Sequence, residues 1–382
     1  MENELSSRRL CSLDLLRGLD MIFLTVVGPL LWAVHAVWGL PDGVLFQLTH
    51  PWEGFTCWDI IMPMFLFMCG AAIPLSLERR IERAGGSSDC VYWKHVLLRV
   101  VMLWVLGMMV QGHLTSLDIR EIRPYNNTLQ TIAFGYLVCA AAICVKSMKL
   151  RIAIPVVCFV AYGLLVHFLG DYSMQGNIAY RVENACLSAI LPVGSKAVHE
   201  IGELGYLPDI TVNGEICYTW ILTSPMFVFM TFCGYFATKI LQVEAKPCTK
   251  AARLAIYGAS LLALGWILTF LGVRMVKHIF TVSFTAQAMG WCVLSLDVLY
   301  VLTDIFGIRR GLGLPVLFGQ FALTAYLMEE FFKPVTVKFA EMLTPGFPHL
   351  FGTDRYQPLI VAFVVVFEIV AVLSIRRKLR QR

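Results

Sequence analysis

Residues 48–70 read LTHPWEGFTCWDIIMPMFLFMCG. The apolar run that opens after Asp59 continues to about residue 78, where Arg79 and Arg80 stop it. As helix, a run of that length reaches most of the way across about 30 Å of hydrocarbon. His50, Glu53 and Asp59 stand within ten positions of one another at its mouth. A membrane helix with an imidazole and two carboxylates at its entrance is the arrangement from which the rest of the chain can be read.

The whole sequence has the same character. Hydrophobic residues make up 58% of the 382 positions and charged residues 15%, with a mean hydropathy of +0.71. A soluble domain of this length needs far less apolar surface. Ten apolar runs of spanning length are predicted, at about 19–39, 58–78, 93–112, 128–147, 150–169, 219–241, 252–272, 280–303, 312–332 and 357–375. The expected fold is all-α, a polytopic transmembrane helix bundle of about ten helices, with residues 1–382 forming one domain, since neither tandem repeats nor low-complexity stretches are evident. The first run follows a short basic stretch, but it is too long for a signal-peptide core and is expected to be retained as a helix.

Basic residues set the expected orientation. With the N-terminus inside, segments 1–18, 79–99, 146–151, 239–253, 309–310 and 376–382 carry 22 of the 31 Lys and Arg. That excess follows the positive-inside tendency and places both termini in the cytoplasm. The net charge of +5 therefore calls for no nucleic-acid partner. The terminal RRKLRQR, residues 376–382, reads as a stop-transfer flank beside anionic membrane lipid. The 12 cysteines are scattered, mostly inside apolar segments, without CxxC or Cys/His spacing, so they read as packing residues and no metal is expected. Cys186 and Cys217, both in the long outside loop, are the one pair placed to oxidise.

Ionisable groups within or beside spanning helices mark a site or a partner. On the expected outer side are His50, Glu53 and Asp59, then Asn126, Asn127 and Gln130 before the fourth run, Lys277, His278, Thr281, Ser283 and Gln287 at the eighth, and Glu329 and Glu330 closing the ninth. On the inner side, Asp14 and Arg17 lie three residues apart, on one helical face, and Arg79, Arg80 and Arg83 form a basic patch. Arg99, Asp297 and Glu368 fall mid-membrane, where internal bridges would account for them. Pro51 restricts His50 to extended backbone, and Gly54 permits a sharp turn. An imidazole so placed, with its tautomer fixed by Glu53 or Asp59, can serve as a base. A proton-relay histidine in a transporter would have the same sequence, and the residues alone leave both open.

Five blocks in order, SLDLLRGLDMIF (12–23), HPWEGFTCWDIIMPMFLFMCGAAIPLSLERR (50–80), TLQTIAFGYL (128–137), KHIFTVSFTAQAMGW (277–291) and PVLFGQFALTAYLM (315–328), resemble the heparan-α-glucosaminide N-acetyltransferase family of transmembrane acyltransferases, and most closely its bacterial branch. The resemblance implies a bundle of ten or eleven helices that takes acetyl from cytosolic acetyl-CoA, as co-substrate, to the amino group of a terminal glucosamine across the membrane. It places the family's active histidine on His50, the aspartate opening the second helix on Asp59, its LDxxRG block on Leu13, Asp14, Arg17 and Gly18, and its lysine block on Lys277, Thr281 and Ser283. Departures fall at Gly28, Thr131, Phe280 and Phe321, where the family carries other residues, and the large lumenal N-terminal domain of animal members is not expected here.

On this reading His50, Glu53 and Asp59 are the catalytic candidates, and Asn127, Gln130, Lys277 and Ser283 are candidates for binding acceptor or oxyanion. Asp14, Arg17, Arg79 and Arg80, with Arg83 and Lys94 nearby, would receive acetyl-CoA, a polyanion suited to a basic entrance. The outside loop, about 170–218, carries Asp171, Glu183, Glu200, Glu203, Asp209 and Glu215 against Arg181 and Lys196. That surface suits a cationic amino sugar or short oligosaccharide better than a sulfated polymer. A hydroxyl acceptor on an envelope glycan, and transport of sugars or small anions, are the rival functions. The expected location is a bacterial inner membrane, and a homodimer is left open.

Overall fold

In the computed structural model, residues 10–85, 88–145, 147–174, 176–195, 197, 211–212, 215–216, 218–347, 350 and 353–381 are described. Apart from a two-residue antiparallel ladder, β1 (Thr211–Val212) with β2 (Glu215–Ile216), the described regular structure is helical. In chain order the helices are α1 (Cys11–Trp38), α2 (Asp42–Gln47), α3 (Cys57–Arg83), α4 (Cys90–Val110), α5 (Thr128–Ile143), α6 (Met148–Leu169), α7 (Ile178–Ile190), α8 (Ser224–Gln242), α9 (Pro247–Phe270), α10 (Val282–Ile305), α11 (Gly313–Gln320), α12 (Ala322–Glu330), α13 (Lys333–Leu343) and α14 (Asp354–Gln381).

Eight of these, α1, α3, α4, α6, α8, α9, α10 and α14, are long and apolar enough to cross a membrane, so the chain is a multi-pass membrane protein. Of the two other expected spans, 128–147 folds as the 16-residue α5. The run at 312–332 is divided at Phe321 (φ −121°, ψ 32°) into α11 and α12, of eight and nine residues, and neither is long enough to cross alone. The guanidinium of Arg376 lies 5.5 Å from the Phe321 ring at this break and donates to Thr324 Oγ1. Wider π turns interrupt α1 at Phe23–Val27, α3 at Pro74–Glu78 and α10 at Val301–Ile305. The first two adjoin Pro29 and Pro74, whose missing N–H and bulky ring a regular turn does not accommodate.

The described residues fall into two compact units, one of 1–49 with 295–382 and one of 50–294. In the first, α1 packs on α11 and α14. Its closest contact is between backbones. A side chain at Gly18 would meet the Pro315 carbonyl oxygen at 1.7 Å, and one at Gly319 the Asp14 oxygen at 2.0 Å. Arg355 ties the start of α14 to the end of α1 through two bonds to the Val37 carbonyl, at 2.9 and 2.8 Å.

The second unit is built round α3 and α8, which are mostly buried, with α5, α6 and α4 around them. In lipid there is little hydrophobic drive between helices, so association depends on close packing and polar contacts. A Cβ at Gly70 would lie 1.7 Å from the Thr231 oxygen, and one at Gly234 1.8 Å from the Phe67 oxygen, so α3 and α8 touch main chain to main chain. Thr238 Oγ1 reinforces the crossing by donating to the Ala71 carbonyl at 2.8 Å. Asp89, Asn127, Ser147 and Asn177 each cap the helix that follows by accepting a backbone N–H.

Candidate functional site

The loop between α2 and α3 places three of the sequence candidates. Gly54 takes φ +125°, a region closed to side chains, and its N–H donates to the Met275 carbonyl at 2.9 Å, pinning the loop to the segment that joins α9 to α10. Thr56 and Asp59 then form a capping box at the start of α3, with Asp59 Oδ2 accepting the Thr56 N–H at 2.9 Å. This leaves Oδ1, which lies 2.6 Å from His50 Nδ1 and 3.2 Å from Lys277 Nζ.

Asp59 and Lys277 are buried, at 1% and 5% side-chain exposure, while the His50 ring keeps 31%. A carboxylate accepts only, so its bond to Nδ1 fixes the tautomer that carries the proton there and leaves Nε2 as the basic atom of an accessible ring. Lys277 Nζ stands 3.1 Å from Nδ1 and 3.4 Å from Nε2. Burial draws the Lys277 ammonium down to about 8, against the opposing pull of Asp59. The site can therefore hold an imidazole in one orientation and offer a cation at its edge.

Lys277 reaches this place through strained backbone. Phe280 sits at φ +42°, closing a tight turn in which its N–H donates to the Lys277 carbonyl at 2.9 Å. Thr281 Oγ1 accepts the Val276 N–H at 3.0 Å, and Ser283 Oγ donates to the Arg274 carbonyl at 3.0 Å. Ser283 thus braces the lysine turn.

The other candidates are placed differently. Glu53 faces Arg274 at 3.4 Å in an exposed pair, so the carboxylate on the imidazole is Asp59. Asn127 and Gln130 are fully buried. Asn127 caps α5 and donates to Gln111, and Gln130 bridges the Asn126 N–H and the Pro124 carbonyl. Both shape the loop before α5. Asp14 and Arg17 approach to 3.8 Å on α1, in the first unit. Arg79 and Arg80 lie in the last turns of α3, in the second, Arg80 exposed and Arg79 half-buried. Arg99 lies 4.5 Å from the Tyr136 ring centre, while Asp297 and Glu368 each bury a carboxyl oxygen that no described group donates to. Among the described residues no three of His, Cys, Asp and Glu group as a metal site. Cys186 is a free thiol. Its suggested partner Cys217, and Lys196, Glu200, Glu203 and Asp209 of the outside loop, lie outside the described residues.

Two features were not foreseen. One is an aromatic wall beside His50. Tyr180, Trp52, His278 and Tyr218 stack in that order, at centroid distances of 6.4, 5.4 and 4.6 Å, and Tyr218 meets the His50 ring nearly at right angles at 6.2 Å. His278 is held neutral, since burial, and then His50 and Lys277, push it down to about 3. The sequence does not mark this wall, because a stacked ring and an aromatic anchor at the membrane interface have the same sequence. The other is a second ion cluster at the far end of α3. Glu78 accepts from Arg151 at 2.7 Å, from Tyr235 at 2.5 Å and from Lys239 at 2.9 Å, and Arg151 also donates to the Ile143 and Val145 carbonyls. Only the run of charge around Arg79 hinted at it.

No protein-family model and no curated protein matches the chain.

Proposed function

We propose that the protein is a transmembrane acetyltransferase that moves acetyl from cytosolic acetyl-CoA to the amino group of a terminal glucosamine on the opposite, periplasmic side of a bacterial inner membrane. About ten membrane passes with both termini cytoplasmic give that sidedness, and the LDLLRG and HPWEG blocks give the family resemblance. The observation that carries the reading is the accessible His50 ring held at Nδ1 by the buried Asp59 carboxylate, 2.6 Å away. A base so oriented is what amine attack on a thioester requires.

In the proposed step the acceptor nitrogen forms a bond to the acetyl carbonyl carbon as His50 Nε2 takes its proton. The carbon–sulfur bond then breaks, and the proton passes from the imidazolium to the leaving thiolate of CoA. Lys277, beside both ring nitrogens, supplies positive charge where the tetrahedral oxygen develops. The alternative route has Nε2 attack the thioester itself and carry the acetyl group as acetyl-histidine. Arg79 and Arg80, at the end of α3 away from Asp59, are proposed for the acetyl-CoA end.

The test is transfer of label from [acetyl-14C]-CoA to methyl α-glucosaminide by the purified protein, wild type against His50→Ala. Label on the sugar nitrogen with wild type alone supports the reading, and label held on protein without acceptor selects the acetyl-histidine route. Label on a hydroxyl makes it an O-acetyltransferase. The interrupted α11 and α12 favour one other reading, transport, because broken helices line substrate paths in carriers. Sugar uptake into proteoliposomes without acetyl-CoA, and no acetyl transfer, would establish that instead.

A further inference from the structure

Among the described residues Lys277 is the one lysine whose side chain is buried. Its Nζ stands 3.2 Å from Asp59 Oδ1, 3.1 and 3.4 Å from the two ring nitrogens of His50, and 5.7 Å from the centre of the Tyr218 ring. All four residues belong to the second unit. Other lysines are placed differently. Lys239 and Lys333 pair with Glu78 and Glu329, while Lys94, Lys246 and Lys338 are exposed.

Only the neutral form of an amine attacks an acyl carbon, so a lysine at the ordinary 10.5 is nearly inert at neutral pH. Burial draws Lys277 down to about 8, which leaves roughly a tenth of it neutral at pH 7, against less than about a thousandth for an ordinary lysine. The groups that face it are Asp59 from α3, His50 from the loop before α3, Tyr218 from the segment before α8 and its own neighbour His278. Asp59 holds the proton on and is outweighed by burial.

Position adds to reactivity. The 3.4 Å between Nζ and His50 Nε2 is within the range, about 3–3.5 Å, at which reacting atoms are held before bond formation. An acetyl group delivered to the imidazole is therefore delivered to the lysine as well. A sugar amine and Nζ are the same kind of nucleophile, but the lysine is tethered in place.

We infer that Lys277 is an internal acyl acceptor, which takes the acetyl group onto Nζ when no sugar amine occupies the site, and that acetylation there switches transfer off. In this step the neutral Nζ forms a bond to the acetyl carbonyl carbon, and His50 Nε2 takes the proton that the nitrogen sheds. The carbon–sulfur bond breaks with its electron pair on sulfur, and the imidazolium returns the proton to give the thiol of CoA. The product is an amide. It has lost the positive charge, and with it the ion pair to Asp59 and the cation beside the imidazole. The inference rests on the acetyltransferase reading for its natural donor, whereas the reactivity of the amine toward an acyl ester does not.

The test uses full-length protein in lipid nanodiscs and two acetyl donors, acetyl-CoA and p-nitrophenyl acetate, without sugar. Hydroxylamine then strips acetyl from imidazole but not from a lysine amide, and peptide mass spectrometry reads the acetyl occupancy of each lysine. Lys277 is expected to be acetylated faster than any exposed lysine, at a rate that rises from about pH 7 to about pH 9. His50→Ala, checked for folding by its melting curve, is expected to slow this by about 100-fold. Methyl α-glucosaminide is expected to suppress it in the acetyl-CoA arm, and protein so modified to lose sugar acetylation in proportion to occupancy. Lys277 left unmodified by both donors in folded wild type, or modified no faster than exposed lysines, or equally fast in folded His50→Ala, overturns the inference even where sugar is acetylated normally. Full transfer by protein acetylated at Lys277 overturns the switch. Modification by the aryl ester alone, with no transfer from acetyl-CoA to sugar, retains the internal acceptor and overturns the enzymatic reading instead.

Discussion

The two ends of α3 carry ion clusters of similar composition that are built to different ends. At the Glu78 end one carboxylate receives an arginine, a tyrosine and a lysine, and Arg151 uses its remaining donors on two carbonyls that no helix satisfies. The charges there join α3, α6 and α8 and the C-terminal end of α5. At the Asp59 end one carboxylate oxygen caps the helix, while the other is shared by an imidazole and an ammonium. The imidazole there remains about a third exposed, with one nitrogen uncommitted to the carboxylate. The same chemistry ties helices together at one end of α3 and orients a partly exposed imidazole at the other.

That contrast can be broken most directly by exchanging readouts. His50→Ala is expected to lower acetyl transfer between about 100- and 10,000-fold, the range of a lost general base, with the melting temperature in detergent nearly unmoved. Glu78→Ala is expected to do the reverse. It strands Arg151 and Lys239 in a mostly buried site and costs on the order of 3 kcal/mol of stability, read from unfolding midpoints, while protein that remains folded keeps its KM for sugar. Both variants losing stability alike would erase the distinction.

The Lys277 ammonium sharpens it by pH. Its folded value is about 8 against an ordinary 10.5, so between those values the unfolded chain binds a proton that the native state has released. Stability therefore climbs as pH rises from about 8 to 10.5, and below 8 the penalty is constant. Wild type should gain on Lys277→Met across that window by an amount on the order of 3 kcal/mol at the limit, measured as the pH dependence of the difference in unfolding free energy. The smallest effect is expected at Glu53→Gln, because its partner Arg274 is exposed and 3.4 Å away. Transfer rates should change less than about twofold, and a larger loss would return Glu53 to the catalytic group.

Hydropathy was sufficient to find the long helices, because spanning lipid demands an unbroken apolar run whatever the neighbours are. It could not locate the break at Phe321, where the nearby Gly319 serves the packing on α1 and an arginine 55 residues later lies over the ring. The Asp59–His50 pair was within reach, since Pro51 and Gly54 limit how nine residues can fold. Nothing local joins Lys277 to them, and only its place on the expected outer side and the family resemblance pointed to it. Glu78 was hidden for the same reason, as its partners stand 73, 157 and 161 positions away. Asn127 and Gln130 were drawn into the site because buried amides look functional in sequence. They bond within their own loop, a need of the backbone that residue type alone does not reveal.

The 19 residues from Asp59 to Glu78 set those two carboxylates about 28 Å apart along α3, close to the thickness of a bilayer's hydrocarbon layer. The helix therefore works as a fixed gauge. Since α3 and α8 are fused backbone to backbone at Gly70 and Gly234, the pair has little freedom to slide and match a different membrane. Mismatch must be taken up by tilting or by deforming the lipid, which ties the hydration of the His50 site to acyl-chain length.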